Sequence, residues 1–226
     1  MDEIKNNYNV VLENIRQIKN KYPDFENKFR LIAVSKTFHV KTICKLLDLG
    51  HKEFGENKLQ EAEEKWSQLR KEYRDTVLHF IGPLQSNKVK RALEVFDYIH
   101  SIDREKIVKK IQDIYQKNDE LRKKNPVLFV QINSGDEKQK AGVPLKDAYD
   151  FVKWSKEEIK LNISGLMCLP PVEDDPIKHF KALKELSNKL RLPFTSMGMT
   201  NDYLQAISCG ATHVRIGSAI FGNRGK

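Results

Sequence analysis

Two hydrophobic periods alternate along the chain. Short runs rich in branched and aromatic residues occur at Leu31–Ser35, Glu53–Gly55, Val77–Ile81, Tyr98–Ile102, Val127–Ile132, Ile163–Leu169, Phe194–Met197 and His213–Ile216. Runs of this length and composition predict strands. Between them the apolar positions repeat at steps of three and four. Leu59, Ala62, Trp66, Leu69 and Tyr73 share one helix face, as do Ile4, Tyr8, Val11, Ile15 and Ile18 ahead of the first strand. Asp103 is the predicted N-cap of a helix over Arg104–Gln116, and Gly50 and Gly210 sit where helices should stop. Eight strands separated by helices imply parallel pairing with crossovers, in a (β/α)8 barrel or an open doubly wound sheet. Neither G-x-G-x-x-G nor G-x-x-x-x-G-K-[ST] is present, which lowers the dinucleotide and P-loop readings. The count of eight favours an α/β fold made of a single TIM-type barrel, residues 1–226, with an extra N-terminal helix.

Composition narrows the function classes. Hydrophobic residues make up 39% and charged residues 31% of 226, a globular balance. No apolar run approaches the ~18–20 residues of a bilayer span. The opening MDEIKNNYNV has no apolar signal-peptide core. Cys44, Cys168 and Cys209 are odd in number and far apart, with neither zinc spacing nor a disulfide framework, so the expected compartment is the cytoplasm. The net charge of +9 raises the question of an acidic partner: nucleic acid, an anionic membrane surface or a phosphorylated metabolite. Lysines interleave with glutamates, as in EAEEKWSQLRKEYR, and the basic clusters Lys109-Lys110 and Arg122-Lys123-Lys124 are short. Solvated helix faces are the leading reading, with nucleic-acid binding behind it. Histidines 39, 51, 79, 100, 179 and 213 show no metal-ligand spacing, so no metal is expected.

Reactive groups of such a barrel gather at the C-terminal strand ends. Ile32, Val34 and Lys36 share a face, so branched residues filling the interior would point Lys36 inward at the mouth. An amine there suits Schiff-base chemistry; the alternative is a lysine leaving a strand end for solvent. Behind the seventh strand, Ser196-Met197-Gly198-Met199-Thr200 leads into a helix for which Thr200 is the predicted N-cap. Behind the eighth comes Arg215-Ile216-Gly217-Ser218. Small residues, hydroxyls and helix starts in these two loops suit a phosphate, though ordinary turns use the same residues. His79 and His213 lie in apolar strands and read as satisfied core residues. Arg215 shares a face with His213 nearer the mouth, where its acceptor would be a pyridine nitrogen or a strand-end carboxylate. The loop Asn133–Gly142 reads as a lid or an ordinary polar loop.

The segments LIAVSKT, FGENKLQEA, HFIGPLQSNK, SIDREK, VQINSGDEKQKAGV, ISGLMCLPP, SMGMTNDYLQAI and VRIGSAIFGNR are those by which the chain resembles the pyridoxal phosphate homeostasis protein family, related to the N-terminal barrel of alanine racemase. The resemblance implies pyridoxal 5'-phosphate as cofactor, held as a Schiff base on Lys36. It implies phosphate contacts at Ser196, Gly198, Thr200, Gly217 and Ser218, the pyridine nitrogen at Arg215, and Asn57 beside the cofactor. One departure is Pro83, where the family usually has histidine; proline suits the first turn of a helix.

The implied role is a carrier that buffers or delivers the cofactor, with effects on amino-acid and keto-acid metabolism and PLP-dependent apoenzymes as recipients. The alternative is a small PLP-dependent racemase or decarboxylase of the same barrel type. An unprotonated pyridine opposite Arg215, and a chain stopping at Lys226 without a further domain, lead to the expectation of no efficient enzymatic turnover.

Overall fold

The computed structural model describes residues 3–21, 29–137 and 139–222. Lys138 in the polar loop and the Asn223-Arg224 end of the last matching segment lie outside them. Helix α1 (Glu3–Lys21) precedes strand β1 (Arg30–Val34). Then come α2 (Val40–Asp48), β2 (Glu53–Glu56), α3 (Leu59–Glu72), β3 (Val77–Phe80), a 3-10 turn (Ser86–Lys88) and α4 (Val89–Val95). They are followed by β4 (Tyr98–Ile102), α5 (Glu105–Lys117), α6 (Asp119–Lys124), β5 (Val127–Asn133) and α7 (Ala148–Glu157). The last third holds β6 (Ile163–Cys168), α8 (Pro176–Lys189), β7 (Phe194–Ser196), α9 (Tyr203–Ser208), β8 (His213–Ile216) and α10 (Ser218–Phe221).

Each strand pairs in parallel with the next, and β8 closes on β1 through Arg30↔His213 and Ile32↔Arg215. The result is a closed eight-stranded (β/α)8 barrel. A two-residue strand, Val143–Pro144, adds to the outer edge of β5. All eight predicted strands are present, with ends shifted by a residue or so.

The strand faces divide the core in two. Leu31, Ala33, Phe54, Leu78, Phe80, Leu128 and Val130 point outward and pack under the helices. The predicted faces of α1 and α3 are the ones turned inward, with Val11, Ile15, Ala62, Trp66 and Leu69 buried. Glycines 50 and 210 take φ of +85° and +86° just past α2 and α9, the left-handed geometry that ends a helix. Two predicted caps are corrected. Asp103 pairs with Arg104 instead of capping, and α5 begins one residue later with Arg104 at the cap position. Thr200 lies in a turn ahead of α9, whose cap position is Asp202.

Inside the barrel the filling is unexpectedly polar. Ile32 and Val34 do face inward, since a Cβ on Gly55 would lie 2.9 Å and 3.7 Å from their methyl groups. Around them sit His79, His100, His213 and Arg215, all buried. Their rings stack among aromatics: His100 lies on Phe129 at 4.3 Å and 9°, and His79 on Tyr98 at 4.4 Å and 27°. Gly165 makes room, because a Cβ there would come within 2.4 Å of the Phe129 ring. As expected, His79 is a satisfied core residue, bonded at both ring nitrogens. His213 is satisfied only at Nδ1, by Thr212 Oγ1 at 2.8 Å, and its Nε2 has no partner.

Candidate functional site

The mouth formed by the C-terminal strand ends collects the sequence candidates. Val34 pairs with Gly55, and the next positions of the inward period are Lys36, in the turn after β1, and Asn57, just past the end of β2. Both are partly buried. Asn57 Oδ1 is shut off from solvent and has no hydrogen-bond partner. A buried amide oxygen without a donor is uncommon and suits a ligand group. The Asn57 backbone is held close to the following strand end: a Cβ on Gly82 would fall 2.0 Å from Asn57 O, so only glycine fits there. Pro83 is exposed and lies in the extended stretch ahead of the Ser86–Lys88 turn, not in a helical first turn.

The Lys36 segment is braced from the outer face. Ser35 and Glu56 point away from the barrel interior, and the Ser35 hydroxyl donates to Glu56 Oε1 at 2.7 Å. Lys65 and Trp66 on α3 donate to the same oxygen at 3.2 Å each. Lys65 also donates to Ser35 O at 2.9 Å and pairs with Glu61 at 2.6 Å. Glu61 accepts the Thr37 N–H, holding a residue with φ of +67° immediately after Lys36. Burial pushes the Glu56 carboxyl above its usual range, while Lys65 and the donors from Ser35 and Trp66 pull it back. Sequence reasoning missed this cluster. The available signal was a carboxylate sharing the outward face with Phe54, which demands a partner on the next helix.

On the other flank of β1, behind β7 and β8, the hydroxyls of Thr200 and Ser218 lie 3.4 Å apart. Thr200 is partly buried and Ser218 exposed. Gly217 sits between these hydroxyls and β1: a Cβ there would have Val34 at 3.6 Å and otherwise open space. Gly198, with φ of +92°, faces α9, where a Cβ would lie 2.5 Å from Ala206 Cβ, so its contribution to the mouth is through its backbone. Ser196 is set apart from this group. It is fully buried below the mouth, with its Oγ 2.6 Å from Arg215 Nη1 and 2.9 Å from His100 Nδ1.

Arg215 lies beside Ile32 and is only 4% exposed. Its guanidinium donates to Ser196 Oγ and, at 3.0 Å, to Cys168 O. Among the described residues no carboxylate makes a direct ion pair with it, although Asp202 lies near enough to favour its charge. Burial pulls its pKa below the usual arginine value, yet a guanidinium stays charged in proteins. A buried cation with unused donors and only neutral acceptors needs a further acceptor.

Elsewhere, the described part of the 133–142 loop is tied back: Asn133 Nδ2 donates to Glu137 O at 2.8 Å, and His179 Nδ1 lies 3.1 Å from Ser134 O. Basic helix faces are laced with acidic neighbours, as in Lys109–Glu105 at 2.7 Å and Lys117–Asp113 at 2.6 Å. Among the described residues no three His, Cys, Asp or Glu side chains gather to hold a metal, and no helix is long and apolar enough to cross a membrane.

Residues 7–225 match the family model described as alanine racemase, N-terminal domain. A pyridoxal phosphate homeostasis protein of Pasteurella multocida is 36% identical, over 98% of this chain and 97% of that protein. Its Escherichia coli K12 counterpart is also 36% identical, over 99% and 98%. Among solved structures, Synechococcus elongatus PipY with PLP bound is 29% identical with a TM-score of 0.75, over 92% of this chain and 100% of that one. An alanine racemase of Clostridium difficile shares the fold at 15% identity and a TM-score of 0.72, this chain spanning 58% of its length.

Proposed function

The chain belongs to the pyridoxal phosphate homeostasis proteins, within the alanine racemase N-terminal domain family, and on that premise we propose that it binds pyridoxal 5'-phosphate and buffers or delivers it in the cytoplasm. The observation that carries the reading is Arg215, a buried cation with donors to spare and no carboxylate in direct contact among the described residues. A pyridine nitrogen is a neutral acceptor of the right kind. When bound, the cofactor supplies an aldehyde with which the Lys36 amine condenses, with loss of water.

The protein's own residues then divide the work. Lys36 is the covalent anchor, and the Ser35–Glu56–Lys65 cluster keeps its segment in place. Asn57, just past the end of β2, offers an amide whose oxygen awaits a donor. Thr200 and Ser218 hydroxyls, with the backbone around Gly198 and Gly217, take the phosphate; the first N–H groups of a helix have no carbonyl partner of their own. Ser196 is assigned to Arg215 in place of the phosphate, because its hydroxyl is buried and already engaged. Arg215 donates to the ring nitrogen without giving up its proton, which keeps the ring a weak electron sink and favours storage over carbanion chemistry.

The test is borohydride reduction of the purified, loaded protein followed by peptide mapping. The adduct is expected on the peptide carrying Lys36, and its recovery on another lysine overturns the assignment. The carrier role predicts no change in optical rotation and no carbon dioxide release against a panel of amino acids. Robust turnover that depends on Lys36 would make the protein an enzyme.

A further inference from the structure

The barrel interior carries a line of polar side chains that reaches well below the proposed cofactor. It runs from Arg215 Nη1 to Ser196 Oγ at 2.6 Å, and from Ser196 Oγ to His100 Nδ1 at 2.9 Å. It continues from His100 Nε2 to His79 Nδ1 at 3.0 Å, and from His79 Nε2 to Glu53 Oε2 at 2.7 Å. Five residues from five different strands thus link the site to the N-terminal end of β2, where Glu53 also pairs with Arg30 at 3.2 Å.

With both rings neutral, the chemistry of the two ends fixes the direction of every bond between them. A guanidinium only donates, so Ser196 Oγ accepts from Arg215 and its own hydrogen is left for His100 Nδ1. A hydroxyl oxygen can accept twice, so this direction is settled from the other end. There Glu53 only accepts, and a neutral His79 donating from Nε2 must accept at Nδ1 from His100. Burial agrees, holding His100 well below the usual histidine range with His79, His213 and Arg215 adding to the effect. A neutral His100 then carries its proton on Nε2 and donates to His79 Nδ1. His79 carries its proton on Nε2 and donates to Glu53, whose carboxylate only accepts. All donors point one way, and no member is left unmatched. The stacks on Phe129 and Tyr98 hold the two rings in the planes this requires.

We propose that Glu53, His79, His100 and Ser196 form a one-way hydrogen-bond relay that sets the orientation of Arg215 toward the pyridine nitrogen of the bound cofactor. They are positioning residues. The relay engages one guanidinium nitrogen through Ser196 and leaves the remaining donors for the ligand. The inference rests on the reading of Arg215 given above and deepens it.

Two measurements separate the relay from that reading. Nitrogen-15 NMR of the full-length protein, stripped of cofactor, is expected to find His79 and His100 neutral and protonated at Nε2. A proton on Nδ1 of either ring, or a charged His100 at neutral pH, overturns the relay whether or not the protein binds pyridoxal phosphate. Ser196→Ala and Ser196→Thr are then titrated with pyridoxal phosphate. Loss of the hydroxyl is expected to weaken binding about tenfold or more and to move the visible absorption band of the bound cofactor, with both effects reversed in Ser196→Thr. A Ser196→Ala protein that is merely less stable, with band and affinity unchanged, also overturns the proposal. If the expected tautomers are found but pyridoxal phosphate does not bind the wild-type protein, the cofactor reading fails and the hydrogen-bond line remains.

Discussion

Replacing Thr200 and Ser218 together by alanine tests the phosphate assignment directly. The two hydroxyls lie 3.4 Å apart at the mouth, close enough to serve one anion. A hydrogen bond to a charged group contributes about 1.5–3 kcal/mol, so each single substitution should weaken pyridoxal phosphate binding by about 10- to 150-fold. Neighbouring sites couple, and the double variant should lose on the order of 100-fold or more without reaching the product of the two singles. Stability should change little, within about 0.5 kcal/mol for each surface substitution, because Ser218 is exposed and Thr200 does not cap α9. Direct titration with pyridoxal phosphate mixes the phosphate contribution with the covalent bond to Lys36. Pyridoxine phosphate, which lacks the aldehyde, and pyridoxal, which lacks the phosphate, separate them. The double variant should lose affinity for both phosphorylated compounds and bind pyridoxal as the wild type does. Unchanged affinity for pyridoxine phosphate, or an equal loss for pyridoxal, would refute the assignment.

Further expectations concern the scaffold. Glu56→Ala removes the acceptor of the buried Ser35 and Trp66 donors and leaves Lys65 with Glu61 and the Ser35 carbonyl. It should cost about 3–5 kcal/mol and lower the Tm by about 10 °C, with Glu56→Gln recovering part of the loss; a Tm within about 3 °C of wild type would show that the cluster is not holding the segment. His51 is neutral in the folded protein, its pKa pulled down to about 4 chiefly by burial, with Tyr8 and the Glu53 carbonyl at its two nitrogens. Because its folded pKa lies below the unfolded one, the unfolded chain takes up the proton first. Its contribution is complete above about pH 6.5 and fades by about 3 kcal/mol as the pH falls toward 4. Urea unfolding midpoints should drop over that window more steeply for wild type than for His51→Gln, and parallel curves would refute the sign or size of the shift.

The strands and helix faces were legible because each is a local pattern. Alternation marks which side of a strand is buried, and the step of three and four marks the face of a helix, whatever packs against it. Lys36 was legible for a related reason: period two carries the inward face of β1 one step past the strand end, whereas Asn57 came only from the family resemblance. The caps were less secure, since Asp103 and Thr200 had the right chemistry but other nearby residues took the cap positions. The interior polar line was not legible at all. His100 and Ser196 meet only when the barrel closes, and each alone reads as an isolated polar residue in an apolar run. The expected branched filling gave no reason to search for a partner. For Ser196 the same blindness favoured a phosphate, because a serine near a loop glycine looks like an anion ligand until its depth is known.

Closure of the barrel has a temporal side. The seam between β1 and β8 joins residues from opposite ends of the described chain, Arg30 to His213 and Ile32 to Arg215. Helix α1 reinforces it, with Asn14 donating to the Tyr203 hydroxyl at 3.1 Å and Asn7 to Ile220 O at 3.3 Å. Contacts so distant in sequence form only after most of the chain has been made, and they carry the largest loop-closure cost. Lys36 lies on one side of this seam and Arg215 on the other. A ribosome-bound nascent chain that has emerged only through β7 therefore holds the lysine and every member of the polar line except Arg215, but no pocket. A ligand gripping both sides would act as a clasp on the last joint to form, lending most protection from hydrogen exchange to the first and last strands.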